Sequence, residues 1–113
     1  MSYRKIANLV DMVAKQTADR QLSWDRTEIN NAYQVSFSEY VIRLFNNGKG
    51  FRFVIYDIFG DVVEEVSDRD LKDFYAEPFE MMNDLFGNVR RQAMGVDEAL
   101  DSIMKDLRGE DLE

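Results

Sequence analysis

Paired carboxylates are the side chains in this sequence whose types and spacing come closest to catalytic chemistry. They occur as Glu64-Glu65, as Asp97-Glu98 and as Asp68 with Asp70. A carboxyl group that acts as a general acid needs a buried position that raises its pKa, opposite a second carboxylate. The hydrophobic pattern places these pairs at caps, turns and outer faces instead. Because the sequence also has no His to carry protons near neutral pH, we predict that the protein is not an enzyme.

The segment from Asp57 to Asp61 contains the oxygen ligands that a calcium site would use, together with Glu64. A calcium loop places such ligands at alternating positions, and Ile58 and Phe59 interrupt that alternation. The same segment is rich in residues that form β-turns. We therefore predict a plain turn here, and neither a metal nor another cofactor for the chain.

The net charge is −8, from 14 basic and 22 acidic residues. The basic residues are not clustered, so we expect no direct contact with nucleic acid. No apolar run approaches the roughly 20 residues of a membrane span, so we expect no membrane partner. The sequence contains no Cys, which fits a reducing compartment. These features predict a cytoplasmic protein.

Hydrophobic spacing divides the chain into a strand-like middle and two helical ends. Apolar residues repeat at three and four over about residues 3–17, which predicts an N-terminal helix with one buried stripe. Apolar and polar residues alternate over residues 33–66. Asn46–Gly50 is the strongest turn signal. Because it lies between two predicted strands, it is not expected to bind phosphate, which requires a strand followed by a helix. Trp24, the single Trp, is predicted to be a core residue.

Helical spacing resumes after Ser67, which we predict as an N-cap. Pro78 should interrupt this region and restart it in a first helical turn. Gly87 could add a second irregularity, Gly95 should end the segment, and Asp97 should cap a last helix. In that helix Val96, Leu100, Ile103, Met104 and Leu107 form an apolar stripe.

These elements predict a single α+β domain over residues 1–113. It has an N-terminal helix, an antiparallel meander sheet of four to five strands, and two to three C-terminal helices packed on the sheet. Short connections make neighbours in sequence pair in the sheet.

Met81, Met82 and Phe86 form the predicted partner surface. Adjacent Met residues cannot both face one core from a single helix, and Met suits adaptable binding surfaces. Met82 belongs to the main apolar stripe, and Phe74 and Met81 lie off its centre, so the apolar arc is wider than one sheet face requires. The excess could be covered by a second copy in a homodimer, by another protein, or by the N-terminal helix.

The segment from Phe53 to Leu107 resembles a pattern found in small uncharacterised bacterial α+β proteins. The residues that carry this resemblance are Ile55-x-Asp57-x-x-Gly60-x-Val62, Leu71-x-x-Phe74-Tyr75, and Val89-Arg90-Arg91-Gln92-Ala93-x-Gly95-Val96-Asp97-x-x-Leu100-Asp101-x-Ile103. It implies a bacterial origin and brings no catalytic residues.

In size, acidity and element types the chain is also similar to the secretion chaperones of type III systems. Those are small cytosolic α+β dimers, which usually carry a helix between the third and fourth strands, where this chain has Asn46–Gly50. Three functions follow as expectations. The first is a non-catalytic binding or adaptor protein. The others are a chaperone for a secreted effector, and a small-ligand-binding domain or enzyme with a pocket between sheet and helices.

Overall fold

A five-stranded antiparallel sheet and three α-helices make up residues 3–109, which are the residues that this computed structural model describes. In chain order the elements are α1 (Arg4–Ala18), β1 (Asp25–Arg26), β2 (Ala32–Ser36), β3 (Tyr40–Asn46), β4 (Phe51–Asp57), β5 (Val62–Ser67), α2 (Pro78–Ala93) and α3 (Val96–Arg108). The predicted α+β class and the order of its elements are confirmed.

The strands lie side by side in the order in which they occur along the chain. Residues 37–65, all of which the structure describes, contain no helix, so the predicted meander is confirmed. A tight hairpin joins β3 to β4, where the Asn47 side chain accepts hydrogen bonds from the backbone N–H groups of Lys49 and Gly50. Gly48 has a φ of 86° there, which favours Gly.

Alternation along the strands creates one apolar face. Tyr33 on β2 lies opposite Leu44 on β3, Leu44 lies opposite Phe53 on β4, and Phe53 lies opposite Val66 on β5. All four side chains are buried in a single core cluster. Because side chains on a strand point alternately to the two faces, the residues between them point to the other side of the sheet.

Helices α1 and α2 pack against each other and complete the core over this face. The buried side chains of α1 are Ile6, Ala7, Val10, Val13 and Thr17, and those of α2 are Met82, Leu85, Phe86 and Val89. Trp24 is also buried in the core, as predicted. Its indole Nε1 donates to the Thr17 Oγ1 at 3.0 Å, and the Gln92 side chain donates to the Thr17 carbonyl at 2.7 Å. This group of hydrogen bonds joins α1, the chain before β1, and α2.

The turn after β5 is fixed by side-chain hydrogen bonds. Ser67 lies at the end of β5, not at the start of an α-helix, and a short 3₁₀ helix follows at Arg69–Leu71. The Ser67 Oγ accepts from the Asp70 N–H, and the Asp70 carboxylate accepts from the Ser67 N–H. The predicted N-cap at Ser67 was wrong, because Ser67 is the last residue of β5 and Asp68 holds the N-cap position of the 3₁₀ helix. The buried Asp68 carboxylate accepts from the Phe51 N–H at 2.9 Å and binds this turn to β4.

Two details of the helical half differ from the sequence prediction. Pro78 is the first residue of α2, as predicted. The helix then continues through Gly87 without a break. The predicted irregularity at Gly87 was wrong. One Gly in a helix lowers its stability by only about 1 kcal/mol, which a well-packed helix tolerates. The predicted N-cap at Asp97 was also wrong. Gly95 holds the N-cap position of α3 in a left-handed conformation, and Asp97 lies in the first turn of the helix.

Candidate partner-binding surface

The predicted partner surface on α2 lies mostly in the core. Met82 has no exposed surface, Phe86 is buried, and Met81 packs partly buried against the core cluster. The wide apolar arc of α2 is explained by its two neighbours, because the helix packs against α1 as well as against the sheet. Of the three covers that the sequence left open, the N-terminal helix is the one that packs against α2. The prediction that Met81, Met82 and Phe86 form an exposed partner surface is therefore wrong.

Helix α3 carries an apolar surface that the rest of residues 3–109 leaves uncovered. Every residue from Glu98 to Arg108 is exposed. Ile103 is 55% exposed and Leu107 is 82% exposed, values that ordinary core positions do not reach. We call Val96, Leu100, Ile103, Met104 and Leu107 the α3 stripe. Their spacing predicts one apolar stripe, which from the sequence is expected to pack against the sheet.

The base of α3 is held by an ion-pair cluster. Arg20 donates to one Asp97 carboxylate oxygen at 2.9 Å, and Arg91 donates to the other at 2.6 Å. Arg20 has a φ of 59°, so the chain leaves α1 through a left-handed residue. The two arginines come from opposite ends of the sequence. They orient the first turn of α3 against the ends of α1 and α2, while the remainder of the helix projects into solvent.

The pKa of Asp97 is lowered, first by its hydrogen bond with Arg20 and then by the hydrogen bond and charge of Arg91. A lowered pKa means that the ion-pair cluster is complete above the ordinary pKa of an Asp and is lost as the pH falls through the lowered pKa. We expect Arg20→Gln to raise the pKa of Asp97 towards its ordinary value. Lys49→Gln, at the β3–β4 hairpin, is the charge-matched control and should leave it unchanged. Titration of the Asp97 carboxyl carbon by NMR measures both, and an unmoved pKa in Arg20→Gln would contradict this assignment.

A second exposed apolar group lies at one end of the sheet. Phe59 is 82% exposed at the tip of the β4–β5 hairpin, beside exposed Ile58. Tyr40 lies opposite Asp57, so the β2–β3 hairpin with exposed Phe37 is at the same end. The backbone N–H groups of Phe59 and Asp61 both donate to the Asp57 carboxylate. Asp57 therefore forms the turn that its sequence predicts.

The outer face of the sheet is covered by its own arginine side chains. The Arg43 guanidinium lies over the Tyr56 ring and donates to Gln34 and Glu28. Arg52 lies in the same way over Phe45 and pairs with Glu65. Long cationic side chains can cover apolar surface with their stems. Because arginine side chains of the same sheet already occupy this face, it is a weaker candidate for a partner-binding surface than the α3 stripe.

The space between sheet and helices is filled by aromatic side chains. The ring centroid of Phe86 lies 5.6 Å from the ring centroid of Tyr33 and 5.6 Å from that of Phe51. A surface cavity of about 260 Å³ lies beside Trp24 and is lined by the Arg20, Arg91 and Asp97 cluster. Its charged walls are already paired with one another, so the cavity belongs to the base of α3.

Within residues 3–109, no cluster of three or more acidic side chains is arranged to hold a metal ion. None of the helices described there has both the length and the apolar character needed to cross a membrane. Within residues 3–109, uncovered apolar side chains lie along the projecting helix α3 and at the hairpin tips around Phe59. Comparison with known proteins gives no match to a family model, to a curated protein or to a solved structure.

Proposed function

We propose that this protein is a non-catalytic binding or adaptor protein and that α3 is the helix through which it binds a protein partner. The observation that carries the proposal is the exposure of four residues of the α3 stripe, on a helix that has no buried residue between Val96 and Arg108. They are Leu100, Ile103, Met104 and Leu107. The absence of Cys and the resemblance to bacterial proteins support a bacterial cytoplasmic setting.

The low stability expected of α3 on its own supports the presence of a binding partner. The helix has 13 residues, and isolated helices of that length are marginal in water. Amphipathic helices of this kind are usually stabilised by packing their apolar side against another surface. Near its start, α3 contacts α2, and Asp97 pairs with Arg20 and Arg91. A partner along the α3 stripe would supply the rest.

The shape of the molecule supports the same role. The radius of gyration is 16.3 Å, whereas a compact chain of this length has about 13 Å. The longest dimension is 62 Å and the other two are 34 and 25 Å. A helix that projects from the body accounts for part of this elongation. Because it projects, its apolar side is accessible to a partner without any rearrangement of the core.

Site-specific crosslinking in the cells that naturally make the protein tests this proposal. Ile103 is replaced by the photoreactive amino acid benzoylphenylalanine, and Ser102, the neighbouring residue outside the stripe, is replaced in the same way as the matched control. We expect adducts from position 103 that are several-fold more abundant than those from position 102. Adding Leu107→Lys should remove them, because it places a charge in the stripe.

Equal labelling at the two positions, or labelling at position 103 that Leu107→Lys does not change, would contradict a binding role for the stripe. Circular dichroism of each variant controls for folding. All three positions are exposed, so their substitutions should alter the free energy of unfolding by no more than about 0.5 kcal/mol.

A further inference from the structure

We infer that the partner of the α3 stripe is a second copy of this chain, with the two α3 helices packed antiparallel across a two-fold axis. This inference rests on the proposed function, because it names the occupant of the same surface. Three properties of α3 support it: the spacing of the stripe, the distribution of charge along the helix, and the position of the body at one end of the helix.

The spacing of the stripe matches the seam of a two-helix coiled coil. Val96, Leu100, Ile103 and Leu107 are separated by four, three and four residues, which is the alternation that keeps apolar side chains on one seam. In an antiparallel pair, Leu100 lies opposite Ile103 of the second copy, and Val96 lies opposite its Leu107. A two-fold axis repeats each contact, so all four positions in both helices are covered by the same kind of side chain.

Charge along α3 favours the antiparallel arrangement. Asp97 and Glu98 are in the first turn, and Lys105 and Arg108 are in the last turn. An antiparallel pair places the acidic end of each helix beside the basic end of the other, whereas a parallel pair places like charges together. Asp101 adds to the acidic half, and Asp106 is the one acidic residue in the second half. The helix dipoles also oppose each other favourably when the helices are antiparallel.

The body of the protein lies at the start of α3, where Asp97 binds Arg20 and Arg91. An antiparallel pair therefore places the two bodies at opposite ends of the paired helices. Each chain carries a net charge of −8, so separating the bodies also reduces their repulsion. A parallel pair would bring both bodies to the same end. The ion-pair cluster presents α3 in the same orientation in both copies, which a two-fold pair requires.

The expected dimer is weak. A helix of 13 residues is about 20 Å long, so pairing two of them buries less than the roughly 1,200 Å² of a stable interface. We therefore expect a concentration-dependent dimer with a dissociation constant of about 1 µM to 1 mM. A weak dimer of this kind leaves the monomer abundant in dilute solution.

Sedimentation equilibrium tests self-association. As the concentration rises to about 1 mM, the average mass of the native chain should move from 13.2 kDa towards twice that value. Ile103→Lys should remain monomeric over the same range. Ser102→Lys adds the same charge outside the stripe and should dimerise like the native chain. A native chain that stays monomeric throughout, or an Ile103→Lys variant that still dimerises, overturns the inference.

Disulfide crosslinking tests the orientation, because the chain has no native Cys. Equal amounts of Val96→Cys and Leu107→Cys are mixed at high concentration and oxidised. The antiparallel pair predicts mainly a disulfide between the two different variants, whereas a parallel pair predicts disulfides between identical ones. If the chain is monomeric while position 103 still crosslinks in cells to a different protein, the binding function stands and the second copy is excluded as its partner.

Discussion

Phe53→Ala is expected to lower the free energy of unfolding by about 3–5 kcal/mol, the usual cost of truncating a fully buried Phe. Phe53 has no exposed surface, and it lies opposite Leu44 and Val66 at the centre of the sheet. The side chain belongs to the cluster that α1 and α2 complete. Its removal leaves a cavity that the surrounding strands cannot easily fill, because their backbones are held by hydrogen bonds on both sides.

Phe59→Ala is the matched control, because it makes the same chemical change at a position that is 82% exposed. It should alter the free energy of unfolding by about 0.5 kcal/mol or less. Urea denaturation followed by circular dichroism measures both variants. Small domains have total stabilities of about 5–15 kcal/mol, so Phe53→Ala should shift the midpoint strongly. Equal losses for the two variants would contradict the placement of β4 at the centre of the core.

Thr17→Val should lower the free energy of unfolding by about 1–3 kcal/mol, although it preserves the shape of the side chain. Thr17 has no exposed surface, and its hydroxyl accepts from the buried Trp24 indole at 3.0 Å. Val removes the acceptor and leaves the indole N–H unsatisfied in the core. The Gln92 bond goes to the backbone carbonyl of residue 17, so this substitution leaves that acceptor in place.

A double-mutant cycle isolates this hydrogen bond. Trp24→Phe removes the donor, and with the donor absent Thr17→Val should cost at least about 0.5 kcal/mol less than it does in the native chain. Denaturation of the four proteins in the cycle gives the coupling free energy directly. Additive losses would mean that the hydroxyl and the indole contribute independently, and the hydrogen bond would then have no measurable stabilising effect.

The sheet could be predicted from the sequence because two local signals agreed. Apolar residues alternate through Tyr33, Leu44 and Phe53, and Asn46–Gly50 supplies a turn that only a hairpin explains well. Pro78 similarly marked the start of α2, because its missing N–H is needed least in a first turn. In each case the decisive property belongs to a few neighbouring residues.

The binding surface could not be predicted in the same way, because amphipathic spacing shows that a stripe is suited to burial but not what buries it. Met82 and Leu107 both follow helical spacing. One is enclosed by α1 and the sheet, and the other is exposed. The difference depends on where α1 packs and on the left-handed Gly95 that directs α3 away. Both are tertiary features that no short window of sequence contains.

The position of β5 at the free edge of the sheet affects the tendency of the protein to aggregate. An edge strand can pair with the same strand of another molecule and begin an extended intermolecular sheet. In β5 the central residues are Glu64 and Glu65, and both are exposed. Antiparallel pairing of two β5 strands about their centres would bring these carboxylates face to face, which is destabilising. The apolar strand β4 lies between β3 and this acidic edge strand, so its backbone is paired on both sides and shielded from intermolecular pairing in the folded protein.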